Sequence, residues 1–566
     1  MRILSSFVLM LFAFASMAQK VSQSEALTLA QNFMTSKASR SISLKPVSVE
    51  TKGMNHLYYF TDESNTSFVV ISSEKTVTPV IAYSFESRLD AQLPAPVMDY
   101  YIGVNAGIEK AISEKAVPDA LVEAEWKSLS KYGELPVYLK SAVTPLLSTT
   151  WNQDCYYNDS VPEAATGPCG HCYAGCVATA MGQVMKYHNY PPVGTGSNIY
   201  GTGNYSNIHV DFSQASYNWA AMPNSITTNN SYIAQLLYHA GVSVNMGYDF
   251  DGSGASSQDA AYAFADHFGY ADYAFFAERD NTSDEFWIQL IDNELRCRRP
   301  VYYSGHSSSG GHAFVCDGID NSNRLHINWG WGGSSNGYFM LSSMLGFNDG
   351  QAAIFGVEPA IGDVEYCQPS SVYTAMTDTI EDGSGVNKYG NGTNCSWTIQ
   401  PADAGLIYIH FTEVALDKDM DVVYIYNGTS TSDPMVTSVT GFELPSEILV
   451  WGPSAHIVFQ SDNLLRADGF KLFYTTCLAG IEEAWNEGKI SVFPNPADEY
   501  MNIEIDPMIL PAVIRIELVS MSGQTIMVVD NPVQSELLEV GSLSEGTYGL
   551  RFIGESDSFS AFIQIQ

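Results

Sequence analysis

The apolar residues change their spacing along this chain, and that change limits the fold more than any other feature. Near the start, Ala26, Leu29, Ala30, Phe33 and Met34 recur at helical intervals. Helical patterns return at Val97 to Ile112 and Ala120 to Tyr132, with a hairpin pattern around Glu63-Ser64-Asn65 between them. From about residue 141 to about 360, glycine, tryptophan, cysteine and histidine gather in short clusters. Beyond about 364 the spacing becomes two-residue alternation, as in Leu406 to Phe411, Val422 to Tyr426 and Ile457 to Gln460. Turn residues separate these runs, which predicts an all-β sandwich. A last strand-rich module opens at Pro494-Asn495-Pro496, after a linker at Gly480 to Gly488. At 566 residues the chain is too long for one core. No internal repeat is present.

The N-terminus carries Arg2, an apolar run from Ile3 to Ala15, and Ser16-Met17-Ala18. This pattern predicts a secretory signal over 1–18, cut before Gln19. The run is short for a membrane anchor, and no other run approaches ~20 apolar residues, so no transmembrane segment is expected. The chain holds 62 acidic against 26 basic side chains, a formal charge of −36. Such a surface repels nucleic acid and anionic membranes. Nine cysteines in an oxidising compartment leave at least one thiol unpaired in a monomer.

Cys176 is the foremost candidate for a reactive thiol. A glycine-rich loop ends at Gly175, and Val177, Ala180, Met181, Val184 and Met185 then share one helical face. Cys176 therefore starts a helix, where unpaired N–H groups and the helix dipole favour a thiolate. Two alternatives stand beside this: a structural or disulfide-bonded cysteine, and a zinc site from Cys169, Cys172, Cys176 and His171. A thiol nucleophile needs an imidazole from elsewhere. His188 lies twelve residues along the same helix, roughly 18 Å away, and His306 falls in a Ser/Gly loop. His312 follows Gly310-Gly311 and precedes the strand-like Ala313-Phe314-Val315. Asn328 could fix its tautomer, and Trp329 and Trp331 could shield it. A packed turn is the plainer alternative. Gln153, upstream of Cys176, is a candidate oxyanion donor together with the Cys176 N–H.

Taken together, these stretches resemble the streptopain family of papain-like cysteine peptidases. The likeness rests on Trp151-Asn152-Gln153, Gly175-Cys176-Val177-Ala178-Thr179-Ala180, Met185 to Pro191, Pro300 to Tyr303, Gly310 to Val315 and Asn328 to Gly333. It implies an α+β papain-like domain over 141–360, with Cys176 as nucleophile, His312 as general base and acid, and Gln153 as oxyanion donor. It implies Asn328 and Trp329 as supports of the histidine. The loop Asp251 to Ser256 matches one that borders the family's substrate cleft. The resemblance does not explain Cys155, Cys169, Cys172, Cys297 or Cys316; a Cys155–Cys172 or Cys155–Cys169 bridge would fit.

Residues 19–140 resemble the family's α+β inhibitory prodomain, through Leu57 to Phe60, Phe68 to Ser72 and Pro79 to Ser84. Residues 364–478 resemble a CUB domain, through Cys395 to Ile399, Asp421 to Gly428, Ser461-Asp462 and Gly469-Phe470. That likeness implies a Cys367–Cys395 bridge, leaving Cys477 unassigned. Asp421 and Asp462 fall where some such domains bind calcium; solvated surface acids are the alternative. Residues 488–566 resemble the C-terminal sorting domain of type IX secretion, through Val492 to Pro496 and Gly546 to Leu550. The whole then reads as a secreted or surface peptidase precursor of a Gram-negative bacterium. It acts on proteins or peptides, is inhibited by its own prodomain and needs no cofactor. The competing readings are a Cys/His amidase or acyl-transferase on cell-wall peptides, and a CUB-mediated adhesin.

Overall fold

The computed structural model describes residues 20–50, 55–139, 141–279, 282–307, 310–342, 349–360, 366–367, 370–401, 404–478, 490–505, 515–553 and 558–566. The expected signal over 1–18 and the linker at 480–488 lie outside them. Among the described residues no helix is long and apolar enough to cross a membrane. The chain divides into two compact units, one up to residue 361 and one from 362 on.

The first unit opens with α1 (Gln23–Ala38), where the Ser22 hydroxyl accepts the Glu25 N–H and Ser39 ends the helix in the left-handed region. Strands β1 (Leu44–Pro46), β2 (Leu57–Asp62), β3 (Phe68–Ser72) and β4 (Val80–Ser84) follow, then α2 (Ala95–Ser113) and α3 (Ala120–Tyr132). The last two match the predicted helical spans to within two residues. Next come α4 (Cys176–His188), the hairpin β5 (Ser197–Tyr200) and β6 (Ile208–Asp211), α5 (Ser231–Ser243), α6 (Ser257–Phe268), β7 (Phe275–Glu278) and α7 (Asp284–Arg296). Strands β8 (Val301–Ser307), β9 (Gly310–Ile319), β10 (Leu325–Asn328), β11 (Gly337–Phe339) and β12 (Asp349–Phe355) complete the unit.

One ten-stranded sheet runs through this unit in the order β1-β2-β3-β4-β11-β10-β9-β8-β12-β7. Leading and central segments thus share a sheet, joined where Ala82 pairs with Phe339 and Tyr83 with Tyr338. Side chains alternate across a strand, and here the alternation separates two cores. Tyr302, Ala313 and Val315 pack with α4, α5 and α6. Tyr303, Phe314 and Cys316 pack on the other face with α7 and with α2 of the leading segment. The two faces of β9 therefore look at different helices.

In the second unit a five-stranded and a four-stranded sheet form the first sandwich. Along Ala404–Ala415 the residues Ile407, Ile409 and Phe411 are all buried, every second position. Cys367 and Cys395 form a disulfide. A three-stranded and a four-stranded sheet from Ile490 onward make a second β-module around Ile503, Leu518, Leu550 and Phe552.

Candidate active site

Cys176 is the first residue of α4. Gly175 enters the helix at φ +94°, and a Cβ there would lie 2.7 Å from Met246 Cε, so turn and packing both call for glycine. The thiol is half-buried. Burial pushes its pKa up, while the N–H groups of Ala313, Val177 and Cys176 itself face the sulfur and oppose the rise. The Ala313 amide matters most for geometry, because it brings the residue beside His312 to a thiol 137 positions earlier.

His312 does not face that thiol in this form. By the alternation of β9 its ring projects with Phe314, and it stacks at 6.2 Å from the Phe314 ring and 6.3 Å from the Trp329 ring. Its Nε2 lies 2.9 Å from the Trp329 carbonyl oxygen. A carbonyl only accepts, so Nε2 carries the proton and donates it. Burial holds the imidazole down at about 4. No hydrogen bond or ion pair joins Cys176 to His312, and both groups are neutral near pH 7.

Gln153 is buried, and its carbonyl accepts the Ala174 N–H at 2.9 Å, which ties it to the loop before Cys176. Trp329 is fully buried between the His312 ring and Tyr100 of α2, with the Tyr100 ring 6.1 Å away. Asn328 was expected on the His312 ring. Its amide is instead engaged by Gln183, the Thr149 carbonyl and the Gly330 N–H. His306 was expected in a loop. It lies in β8, paired with Gly311, and its ring packs against that glycine. The loop Asp251 to Ser256 is held to the segment before Cys176, since the Ser253 hydroxyl donates to the Tyr173 carbonyl at 2.7 Å.

The cysteines divide clearly. Cys155 and Cys169 are bridged, which removes Cys169 from any zinc set. Cys172 keeps a free thiol beside the Tyr205 hydroxyl at 3.1 Å, Cys316 is a buried free thiol, and Cys297 is buried. Among the described residues the one cluster suited to a metal ion is Asp417, Asp421 and Asp462, in the second unit.

Charged contacts also cross from the leading to the central segment, a feature the sequence did not show. Lys37 pairs with Asp320 at 2.9 Å, and Arg324 with Glu125 at 2.8 Å. His326 sits between Asp317 at 2.6 Å and Glu86 at 2.7 Å, on a polar cavity of about 320 Å³. Burial alone would push the His326 imidazole down, but Asp317 and then Glu86 outweigh it and hold the pKa at about 9. A pKa raised above the ordinary 6.5 adds stability that is complete below that value and is lost as pH rises through about 9. The thermal midpoint of the intact chain, followed from pH 7 to 10, is therefore expected to fall more steeply than that of His326→Gln. Equal slopes would remove His326 from the account.

Four family models match the chain: the Peptidase C10 family at 151–339, the Spi protease inhibitor at 18–101, the CUB domain at 367–474 and the secretion system C-terminal sorting domain at 491–566. The thiol protease/hemagglutinin PrtT of Porphyromonas gingivalis is 28% identical over 412 residues, covering 67% of this chain and 44% of that protein. The chain thus spans less than half of PrtT. Streptopain of Streptococcus pyogenes is 30% identical over 383 residues, covering 60% of this chain and 92% of streptopain. Among solved structures, a prointerpain A fragment from Prevotella intermedia matches with a TM-score of 0.48 at 26% identity, covering 57% of this chain and 100% of that one.

Proposed function

The chain belongs to the peptidase C10, or streptopain, family, and on that premise we propose that it is a secreted cysteine endopeptidase whose precursor is latent because His312 is held away from Cys176. The observation that carries this reading is the Ala313 amide on the Cys176 sulfur, one residue from an imidazole turned to the opposite face of β9. The leading segment acts as inhibitor through α2, whose Tyr100 packs on Trp329, whose carbonyl in turn holds the His312 ring. Removing that segment takes α2 off Trp329 and frees the histidine to turn toward the thiol.

The chemistry then follows from the two groups. His312 takes the Cys176 proton, giving a thiolate and an imidazolium. The thiolate attacks a peptide carbonyl, and the Cys176 N–H and Gln153 stabilise the oxyanion. His312 gives its proton to the departing amine as the C–N bond breaks. Water, deprotonated by the same imidazole, then splits the thioester, releasing the acid and the thiol. Substrates are proteins or peptides, with an apolar side chain one position before the residue at the cut. The sorting module marks the chain for export. Labelling the processed enzyme with iodoacetamide tests the assignment: casein hydrolysis should vanish as one equivalent enters Cys176. Full labelling of Cys176 with hydrolysis intact would refute it.

For the CUB-like module we infer a calcium site. The carboxylate oxygens of Asp417, Asp421 and Asp462 lie within 4.8 Å of one another, and the Tyr389 hydroxyl and the Asp462 N–H (2.7 Å) donate to Asp421. Burial lifts the Asp421 carboxyl to about 7, with Asp417 and Asp462 adding to the rise. Three convergent oxygen ligands suit a hard divalent cation, which would remove that repulsion. Millimolar calcium is expected to raise the module's thermal midpoint with the logarithm of its concentration. The gain should fade below pH 7 as Asp421 takes a proton and should be lost in Asp421→Asn. A midpoint indifferent to calcium would rule the site out.

A further inference from the structure

Gln183 lies on α4 seven residues beyond Cys176, roughly 10 Å deeper along the axis, and it is fully buried. Its Oε1 accepts the Trp151 N–H at 3.2 Å and the Asn328 Nδ2–H at 3.2 Å. Its Nε2 donates back to Asn328 Oδ1 at 3.2 Å. The two amides thus pair reciprocally. Asn328 completes its set by donating to the Thr149 carbonyl at 2.7 Å and accepting the Gly330 N–H at 3.1 Å. The Trp151 and Gly330 N–H groups can only donate, so both amide oxygens must point as drawn. Gly330, at φ +72°, comes so close to α4 that a Cβ would lie 3.2 Å from Thr179 Cγ2.

Three strands of the proposed chemistry meet at this one side chain. Through α4, Gln183 shares a rigid helix with the thiol. Through the Trp151 N–H it holds the segment that leads, two residues on, to Gln153. Through Asn328, which pairs with Val315 in the ladder, it fixes the end of β10 against β9, the strand that carries His312. We propose that Gln183 is a positioning residue for the peptidase reaction, setting the spacing of nucleophile, oxyanion donor and histidine support through the Gln183–Asn328 amide pair. This rests on the reading of Cys176 and His312 as the reacting pair. It also gives Asn328 an indirect part: it acts through the backbone of residues 328–330.

A buried polar pair with nearly every hydrogen bond made is stiff, and removing one member strands the others' donors and acceptors. A displacement of about 1 Å between reacting groups costs on the order of 10²-fold in rate. Gln183→Met keeps length and helix preference but loses the pair. The variant precursor would be processed in trans by tagged wild-type enzyme, which is then withdrawn, and its active sites titrated. Expected are a kcat per titrated site about 10²-fold lower, a KM within about threefold, and slower Cys176 alkylation at pH 6, where reaction depends on the thiolate–imidazolium pair. The exchange Gln183→Asn with Asn328→Gln retains two facing amides and should recover most of the lost kcat, while each single change should not. Should Gln183→Met not fold, the isosteric Gln183→Glu is read in the same way. A purely structural role would lower the melting temperature and the titrated fraction and leave kcat per site untouched. A kcat within twofold of wild type in the folded variant, or an exchange no faster than the slower single, overturns the proposal. Cys176→Ala, run alongside, separates the two failures: hydrolysis that survives it would sink the underlying reading whatever Gln183 does.

Discussion

Cys176→Ala is expected to yield a precursor that folds, stays uncut and leaves casein intact. The rate should fall on the order of 10⁴-fold or more, the residue being what binding and oxyanion stabilisation supply without a nucleophile. The fold should hardly notice. Cys176 makes no disulfide, its side chain is half-buried, and alanine keeps the Cβ at the start of α4. Loss of one partly buried sulfur costs on the order of 1 kcal/mol. The other free thiols provide the contrast. Cys316 lies on the face of β9 turned away from α4, and Cys172 sits against Tyr205. Cys316→Ala and Cys172→Ala should each retain hydrolysis per folded molecule. Processing and casein cleavage at wild-type rate in Cys176→Ala would end the peptidase assignment.

The parts of this arrangement that could be read from the sequence are those decided locally. Val177, Ala180, Met181, Val184 and Met185 announce a helix starting at Cys176, and all five are buried. The alternation of Leu406 to Phe411 announces a strand. What could not be read depends on partners far away in the chain. His312 follows the two-residue alternation of β9, but which face holds the reacting group depends on α2, contributed some two hundred residues earlier. That β4 would pair with β11 is likewise a non-local choice. Gln183 did leave a signal that went unused: it is an amide among the buried positions of a short helix, where an unpaired polar group would be costly. His306 was misjudged because its Ser/Gly neighbours mask a strand that pairing with β9 and β12 sustains.

Glu125→Ala is expected to loosen the precursor more than the loss of any other charge at the boundary. Among the described residues three such contacts compete for that rank, and burial decides among them. Glu86, opposite His326, is 54% exposed in its side chain, so water competes for it. Lys37, opposite Asp320, is 27% exposed. Arg324 is fully buried, Glu125 is 5% exposed, and the carboxylate receives both guanidinium nitrogens at 2.8 and 3.0 Å. Removing the carboxylate leaves a buried cation on the Thr78 hydroxyl and the Ser322 and Val80 carbonyls, with the Asp320 carboxylate as its remaining charged neighbour. Breaking one side of such a pair typically costs about 3–5 kcal/mol. If the latent and loosened arrangements are in equilibrium, that is about two to four orders of magnitude in the population able to turn His312 toward Cys176. The effect falls on the precursor alone, because Arg324 regains water once the leading segment departs. Glu125→Ala should therefore lower the stability of the Cys176→Ala precursor by about 3–5 kcal/mol and, with Cys176 present, hasten processing. With a cut at the expected boundary near residue 140, the enzyme released should have unchanged kcat/KM, since Glu125 is then no longer part of it. Stability within about 1 kcal/mol of the parent, or processing that is no faster, would mean that latency is maintained by the apolar contact of Tyr100 with Trp329 and not by this ion pair.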